Sequence, residues 1–398
     1  MLIKNTISAL IGLGFTLLLF QCQTESDNPI NPELSLIIQE TFGDQIDLNN
    51  LENYASQDVP SYITQDNTGS NPILNERATI GRVLFYDKQL SIDNSISCGS
   101  CHQQAKAFGD PAVASAGVSG GETTRHTMRL INSRFAAESK FFWDERAPSL
   151  EAQTTQPIQN HVEMGFSGVD GRPDFTALIQ KLQGLSYYNE LFKFAYGDSI
   201  ITEARMQECL AQFVRSIQSF DSKYDFGRAR SGSENQTFPN FTTQENTGKN
   251  LFMQPPVFDA TGNRISGGLG CNGCHHAPEF DISPNSGNNG VTGVLNGAGT
   301  DLTITRAPSL RDMFDGYGNP HTSFMHDASL NSLSEVLSHY NQVDLNPVNN
   351  RLDPKLRPGG FGQQLHLTNE EADAVVAFLK TLTGTDVYLN KKWSDPFK

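Results

Sequence analysis

Two short motifs hold most of the residues able to do chemistry in this chain: Cys98-Gly99-Ser100-Cys101-His102 and, 173 positions later, Cys271-Asn272-Gly273-Cys274-His275. C-x-x-C-H is the attachment signature of c-type haem. Its thiols add to the vinyl groups, and the adjoining His supplies the proximal nitrogen to iron. Two residues between the cysteines let one turn of chain present both sulfurs to one edge of the macrocycle. Two C-x-x-C pairs can also hold a structural zinc, and a single pair can be a redox couple or a disulfide. Zinc does not require a His directly after the second Cys at both places. The repeated motif therefore points to two covalently bound c haems.

Beside such haems, two further residues gain weight. Trp143, in Phe141-Phe142-Trp143-Asp144-Glu145-Arg146-Ala147, has a readily oxidised ring and can pass electrons. Glu163 can shuttle protons if burial near iron tunes its pKa. Without a haem, the same features read as aromatic packing and a surface ion pair.

The elements that must position these groups are helical. Thr202 is an N-cap with Glu203 in the first turn, and Met206, Leu210, Phe213, Val214 and Ile217 recur on one face. Thr243 starts a helix through Phe252. Ser332 with Glu335, and Thr368 with Glu371, are capping boxes. They open helices whose apolar faces are Leu333, Val336, Leu337 and Tyr340, then Ala372, Val375, Val376, Leu379 and Leu382, the last ending at Gly384. The stretch from Asp174 to Tyr188 reads as mixed. Residues 284–300 are rich in Gly and Asn and read as a mobile loop. No strand series is visible, so the expected fold is all-α, two cytochrome c-like haem domains in tandem.

Composition narrows the class. The 398 residues allow two domains plus a leader, and a net charge of −15 with 18% charged residues excludes a nucleic-acid binder. Lys4 and the apolar run Ile7 to Phe20 read as a secretory signal. Cys22 follows directly, as in a bacterial lipoprotein signal whose Cys carries the lipid anchor, although Gln21 is not the usual small residue. The expected location is the periplasm, membrane-anchored. Of six cysteines, Cys209 reads as a buried apolar thiol. The expected boundaries are 1–22 signal peptide, 23–70 polar tether or extension, 71–240 the first haem domain and 241–390 the second.

The two C-x-x-C-H sites, F-W-D-x-R-A between them, and L-E-x-Q followed by Glu163-Met164 resemble the bacterial dihaem cytochrome c peroxidases and their relative MauG. The resemblance covers Ile73 to Gly384. It implies that the first haem meets hydrogen peroxide, with Glu163 and Gln153 on its distal side and Trp143 between the haems. Glu145 stands where the family usually has Gly. Many members cap the resting first haem with a His from the loop after the motif, but Val118 stands at that position here. His126, the His of this loop, reads as a displaced cap, a calcium-site substitute or a plain hydrogen-bonding His. Calcium between the domains, a small electron donor of the cytochrome c or cupredoxin type, and a homodimer follow from the resemblance alone.

Tyr340 aligns with the position that supplies the second haem's distal ligand, Met in the peroxidases and Tyr in MauG. Met325 and His339 are the other candidates. A thioether raises the haem potential, and an anionic phenolate lowers it. The expected function is reduction of hydrogen peroxide to water with electrons from a small redox protein. The alternatives are MauG-like oxidation of side chains in a partner protein, and a dihaem electron carrier with no enzymatic activity.

Overall fold

The computed structural model describes residues 32–295, 297, 299–303 and 306–397. The expected leader and Cys22 lie outside them. Twelve α-helices occur among the described residues. They are α1 Pro32–Phe42, α2 Asn75–Tyr86, α3 Cys98–Cys101, α4 Leu150–Thr154, α5 Gln156–Gln159, α6 Phe175–Gln183, α7 Ser186–Tyr196, α8 Glu203–Ser216, α9 Lys223–Arg228, α10 Thr243–Met253, α11 Leu333–Asn341 and α12 Asn369–Lys380. None is long and apolar enough to cross a membrane.

The chain is mostly helical, but two short antiparallel pairs depart from the all-α expectation. They are β1 Pro256–Phe258 with β2 Arg264–Gly267, and β3 His275–His276 with β4 Asp281–Ile282. The first pair has a local cause. Asp259 Oδ1 accepts from the backbone N–H groups of Thr261 and Asn263, and Gly262 takes φ +86, so D-A-T-G-N closes a hairpin.

Two hydrophobic cores are built on the same crossing of helices. In the first, α2 meets α8 at Gly81, where an added Cβ would lie 2.0 Å from the Cys209 carbonyl oxygen. In the second, α10 meets α12 at Gly248, where a Cβ would lie 1.8 Å from the Ala374 oxygen. Only glycine permits backbones this close. Four residues past each glycine a Phe packs on the partner helix: Phe85 on Phe213 at 5.2 Å, and Phe252 on Phe378 at 5.4 Å between ring centroids. Met206, Leu210, Phe213, Val214 and Ile217 are all buried, as is Cys209.

Other expectations change in detail. The mixed stretch is two helices, α6 and α7, with Asp174 capping the first through Ala177 N. The break at Gly184 and Leu185 hides their common period. The last helix stops at Lys380 rather than Gly384, whose N–H is taken by Asp312.

Residues 36–70 are a packed extension, not a free tether: Ile38, Phe42, Ile46, Leu48 and Tyr54 are buried in the first core. The C-terminal segment returns to the same core. Buried Trp393 inserts there, Tyr54 and Tyr86 donate to the carbonyls of Lys392 and Trp393, and buried Arg82 donates to the carbonyls of Ser394 and Gln45. The polar composition of the extension conceals this, because its few apolar residues are spaced as one face of chain.

Between the cores, Arg311 donates to both carboxylate oxygens of Asp225 at 3.0 Å, all but buried. Arg306 likewise pairs with Asp281 at 3.1 Å.

Candidate functional site

The first C-x-x-C-H motif forms α3, whose N-terminus is closed by reciprocal bonds between Ser97 and Ser100. His102 caps the helix. Its Nδ1 lies 2.9 Å from the Phe108 carbonyl oxygen, and burial holds its pKa below the ordinary value. The carbonyl fixes the tautomer with the proton on Nδ1, so neutral Nε2 is the nitrogen free to bind a metal. Ala107 and Phe108, both at positive φ, bend the chain to bring that carbonyl round. Burial pushes the Cys98 and Cys101 thiols up to about 12 and 11.

These groups line a cavity of about 600 Å³, within the range of cofactor sites. Trp143, Gln153 and Glu163 line it too, so the fold brings together every residue expected there. Gln153 rides on α4, which Ser149 caps and which the Glu151–Arg215 ion pair ties to α8. Glu163 sits in a turn made by Asn160, whose Oδ1 accepts from Val162 N and Glu163 N. Burial raises the Glu163 pKa, and Arg146 partly opposes the rise. Val118, the residue at the position of the absent His cap, is buried. Its N–H donates to the carbonyls of Val162 and Glu163 at 3.0 and 3.2 Å. Gly117 permits this approach, since a Cβ there would meet the Val162 oxygen at 2.1 Å.

The second motif opens with a 3-10 turn, and its His275 begins β3. The cavity here is about 540 Å³, lined by Cys271, Cys274, His275, Asn289, Met325 and Tyr340 among others. Burial pushes His275 down to about 4, against the opposing pull of the Phe280 backbone. Burial likewise raises the Tyr340 phenol above its ordinary value. His339 is turned away, its Nε2 on the Asn289 carbonyl oxygen at 2.9 Å.

The stretch from His126 to Arg129 together with Trp143 lines both cavities. Trp143 is fixed at both ends: its Nε1 donates to the His126 carbonyl at 2.6 Å, and its own carbonyl accepts from Arg306 N at 2.6 Å. Both ring nitrogens of His126 are engaged, Nδ1 with the Val113 carbonyl at 3.0 Å and Nε2 with the Thr322 hydroxyl.

The residues present fit haem: each cavity pairs two thiols and a buried neutral imidazole with mainly apolar walls. Among the described residues no group of three or more His, Cys, Asp or Glu is placed to hold a metal ion. The Arg306 guanidinium donates to the carbonyls of Glu138 and Lys140.

The sequence reading missed a second copy of the Trp143 turn. Phe142 and Glu145 take φ +70 and +55, and Met325 and Ala328 take φ +71 and +53. The bridges Phe141–Ala147 and Phe324–Leu330 close the two turns, and Ser149 and Ser332 then cap α4 and α11. Met325 thus corresponds to Phe142, and His326 to Trp143, with their rings 6.3 Å apart. The positive φ explains why glycine suits the Glu145 position. A shared aromatic-x-x-Asp with a Ser cap beyond was the signal available.

Residues 75–232 match the family model described as di-haem cytochrome c peroxidase. The chain is 29% identical over 328 residues to the methylamine utilization protein MauG of Methylophilus methylotrophus, covering 79% of this chain and 84% of that one. It is 26% identical over 320 residues to the cytochrome c551 peroxidase of Nitrosomonas europaea, covering 78% and 80%. Among solved structures, a MauG-like protein associated with microbial copper homeostasis superposes with a TM-score of 0.65 at 25% identity, over 86% of this chain and 99% of that one.

Proposed function

The chain belongs to the dihaem cytochrome c peroxidase and MauG family, and from that premise we propose that it reduces hydrogen peroxide to water with electrons from a small redox protein. The observation that carries this reading is Glu163, a half-buried carboxyl with a raised pKa, on the wall of the cavity that also holds Cys98, Cys101 and His102. An electron carrier has no use for such a group.

Cys98 and Cys101 would hold one haem with His102 as proximal ligand, and Cys271, Cys274 and His275 the other. Bound haem would supply the redox chemistry that reduces peroxide. Glu163 moves a proton from the inner to the outer peroxide oxygen, and the burial that raises its pKa suits a group that must both accept and donate. Gln153 orients peroxide through its amide. Trp143, shared by both cavities, carries electrons between them. Hydrogen peroxide, two electrons and two protons give two waters. Val118 offers no ligand to iron, so the first site works without prior reduction. We read His126 as a hydrogen-bonding tie between the two halves, and the working protein as exported to the periplasm by the leader of residues 1–22.

A second reading, MauG-like oxidation of a partner protein, is favoured by Tyr340 on the wall of the His275 cavity. One experiment separates the two. Purified holoprotein is given peroxide and a reduced small cytochrome, beside Glu163→Gln, with and without prior one-electron reduction. Fast oxidation that collapses in the variant is expected. Peroxide-induced changes in the haem bands with no donor oxidised would move the second reading ahead. Inertness toward peroxide, even after reduction, would leave only an electron carrier.

A further inference from the structure

One side chain touches both of the candidate distal ligands in the second cavity. Asn289 Nδ2 donates to Met325 Sδ at 3.2 Å and to the Tyr340 hydroxyl oxygen at 3.4 Å. An amide NH₂ carries two hydrogens, so one Asn can serve both partners at once.

The consequences for the two partners are opposite. A thioether sulfur has two lone pairs, and an N–H held on one withdraws density from the other, making it a poorer donor to iron. A phenol binds iron best as its anion, and an N–H donor strengthens on an oxygen that bears negative charge. The same amide therefore restrains Met325 and favours Tyr340.

Asn289 is well held for this task. Its Oδ1 accepts from Val291 N at 3.1 Å, and its carbonyl meets His339 Nε2. The preceding Asn288 is buried and exchanges amide hydrogen bonds with Asn349 at 2.8 and 2.9 Å. The Gly- and Asn-rich stretch expected to be mobile is thus anchored where it enters the cavity. Met325 itself sits at φ +71, a strained conformation that persists because the surrounding turn imposes it.

We propose that Asn289 is a positioning residue that selects Tyr340 over Met325 as the sixth ligand of the haem held by His275. This rests on the reading above only in requiring haem at His275; it does not depend on whether the substrate is peroxide with a donor or a partner protein. The selection sets the potential of the second centre, since phenolate lowers it and thioether raises it.

The test uses ferric holoprotein and three variants: Asn289→Leu, Asn289→Asp, and Asn289→Asp combined with Met325→Leu. Asn289→Asp keeps the volume and the acceptor for Val291 N while removing both donors, so it carries the test if Asn289→Leu loses haem. The readouts are the near-infrared sulfur-to-iron charge-transfer band and the midpoint potential of the second haem. Wild type is expected to lack the band. Asn289→Leu and Asn289→Asp should gain it, with an upward shift in potential, and adding Met325→Leu should abolish it again. A wild-type protein that already shows the band overturns the proposal. So do single variants with the wild-type spectrum and potential. Purified wild type with no c-type haem at the second motif would instead sink the haem reading itself.

Discussion

The two cavities share a scaffold and differ in their walls. Each begins with a helix crossing made close by glycine, Gly81 or Gly248, and each adds a C-x-x-C-H turn and a left-handed turn before a Ser-capped helix. In the first, that later helix and the turn beyond it present Gln153 and Glu163. In the second, the left-handed turn presents Met325 and the helix after it presents Tyr340, with Asn289 between them. A carboxyl that can trade protons suits a centre that meets substrate. A thioether and a phenol that can close off iron suit a centre that stores charge. The difference teaches that the scaffold sets where a cofactor lies, and a few wall residues set what it does.

The largest expected effect comes from removing attachment at one cavity at a time. Cys98→Ala with Cys101→Ala should abolish the reaction with peroxide. Cys271→Ala with Cys274→Ala should leave that reaction but abolish sustained donor oxidation. Covalent haem should fall by about half in each case, measured by haem staining of the denatured chain. Equal loss of both activities in both variants would erase the division of labour.

Next come the wall residues. Glu163→Gln should lower peroxide turnover by about 10² to 10⁴, the range for losing a general acid–base group. Tyr340→Phe should change the spectrum of the second haem while sparing the first step with peroxide, followed by stopped-flow absorbance. A Tyr340→Phe defect as deep as that of Glu163→Gln would contradict the contrast.

The shared scaffold predicts a symmetrical effect on stability. Gly81→Ala and Gly248→Ala each force a Cβ into a partner backbone carbonyl, and overpacking of this kind costs about 1–3 kcal/mol or more. Denaturant titration should show both losses, and proteolysis should open the first half in one variant and the second half in the other.

The last test concerns the seam. Glu279 is buried between the cores, and burial pushes its carboxyl from the ordinary 4.5 up to about 8 despite Arg311 nearby. The folded chain keeps a proton that the unfolded chain gives up above about 4.5. Its contribution is therefore full below that value and is lost as pH rises through about 8. Glu279→Gln should flatten the fall in stability over this window, measured by denaturant midpoints across pH.

Much of this protein was legible before folding. Both haem motifs, the caps of α8, α11 and α12 and the apolar face of α8 follow from residue type and spacing, and the candidates Trp143, Gln153 and Glu163 follow from the resemblance those motifs carry. So does the placing of Tyr340 on an inward helix face. The physical reason is range. Capping, helical periodicity and C-x-x-C-H attachment are settled within a few residues along the chain, so local order suffices to read them.

The tertiary structure alone decided the rest. The polar extension hides Ile38, Phe42 and Tyr54, which find their partners in the first core and the C-terminal segment. The Asn289 amide meets Met325 across 36 positions and Tyr340 across 51. Trp143 meets His126 and Arg306, which come from separate loops. A hydrogen bond of about 3 Å specifies its partner only after the backbone has been brought round, and nothing in the local pattern of an Asn announces which side chain it will meet.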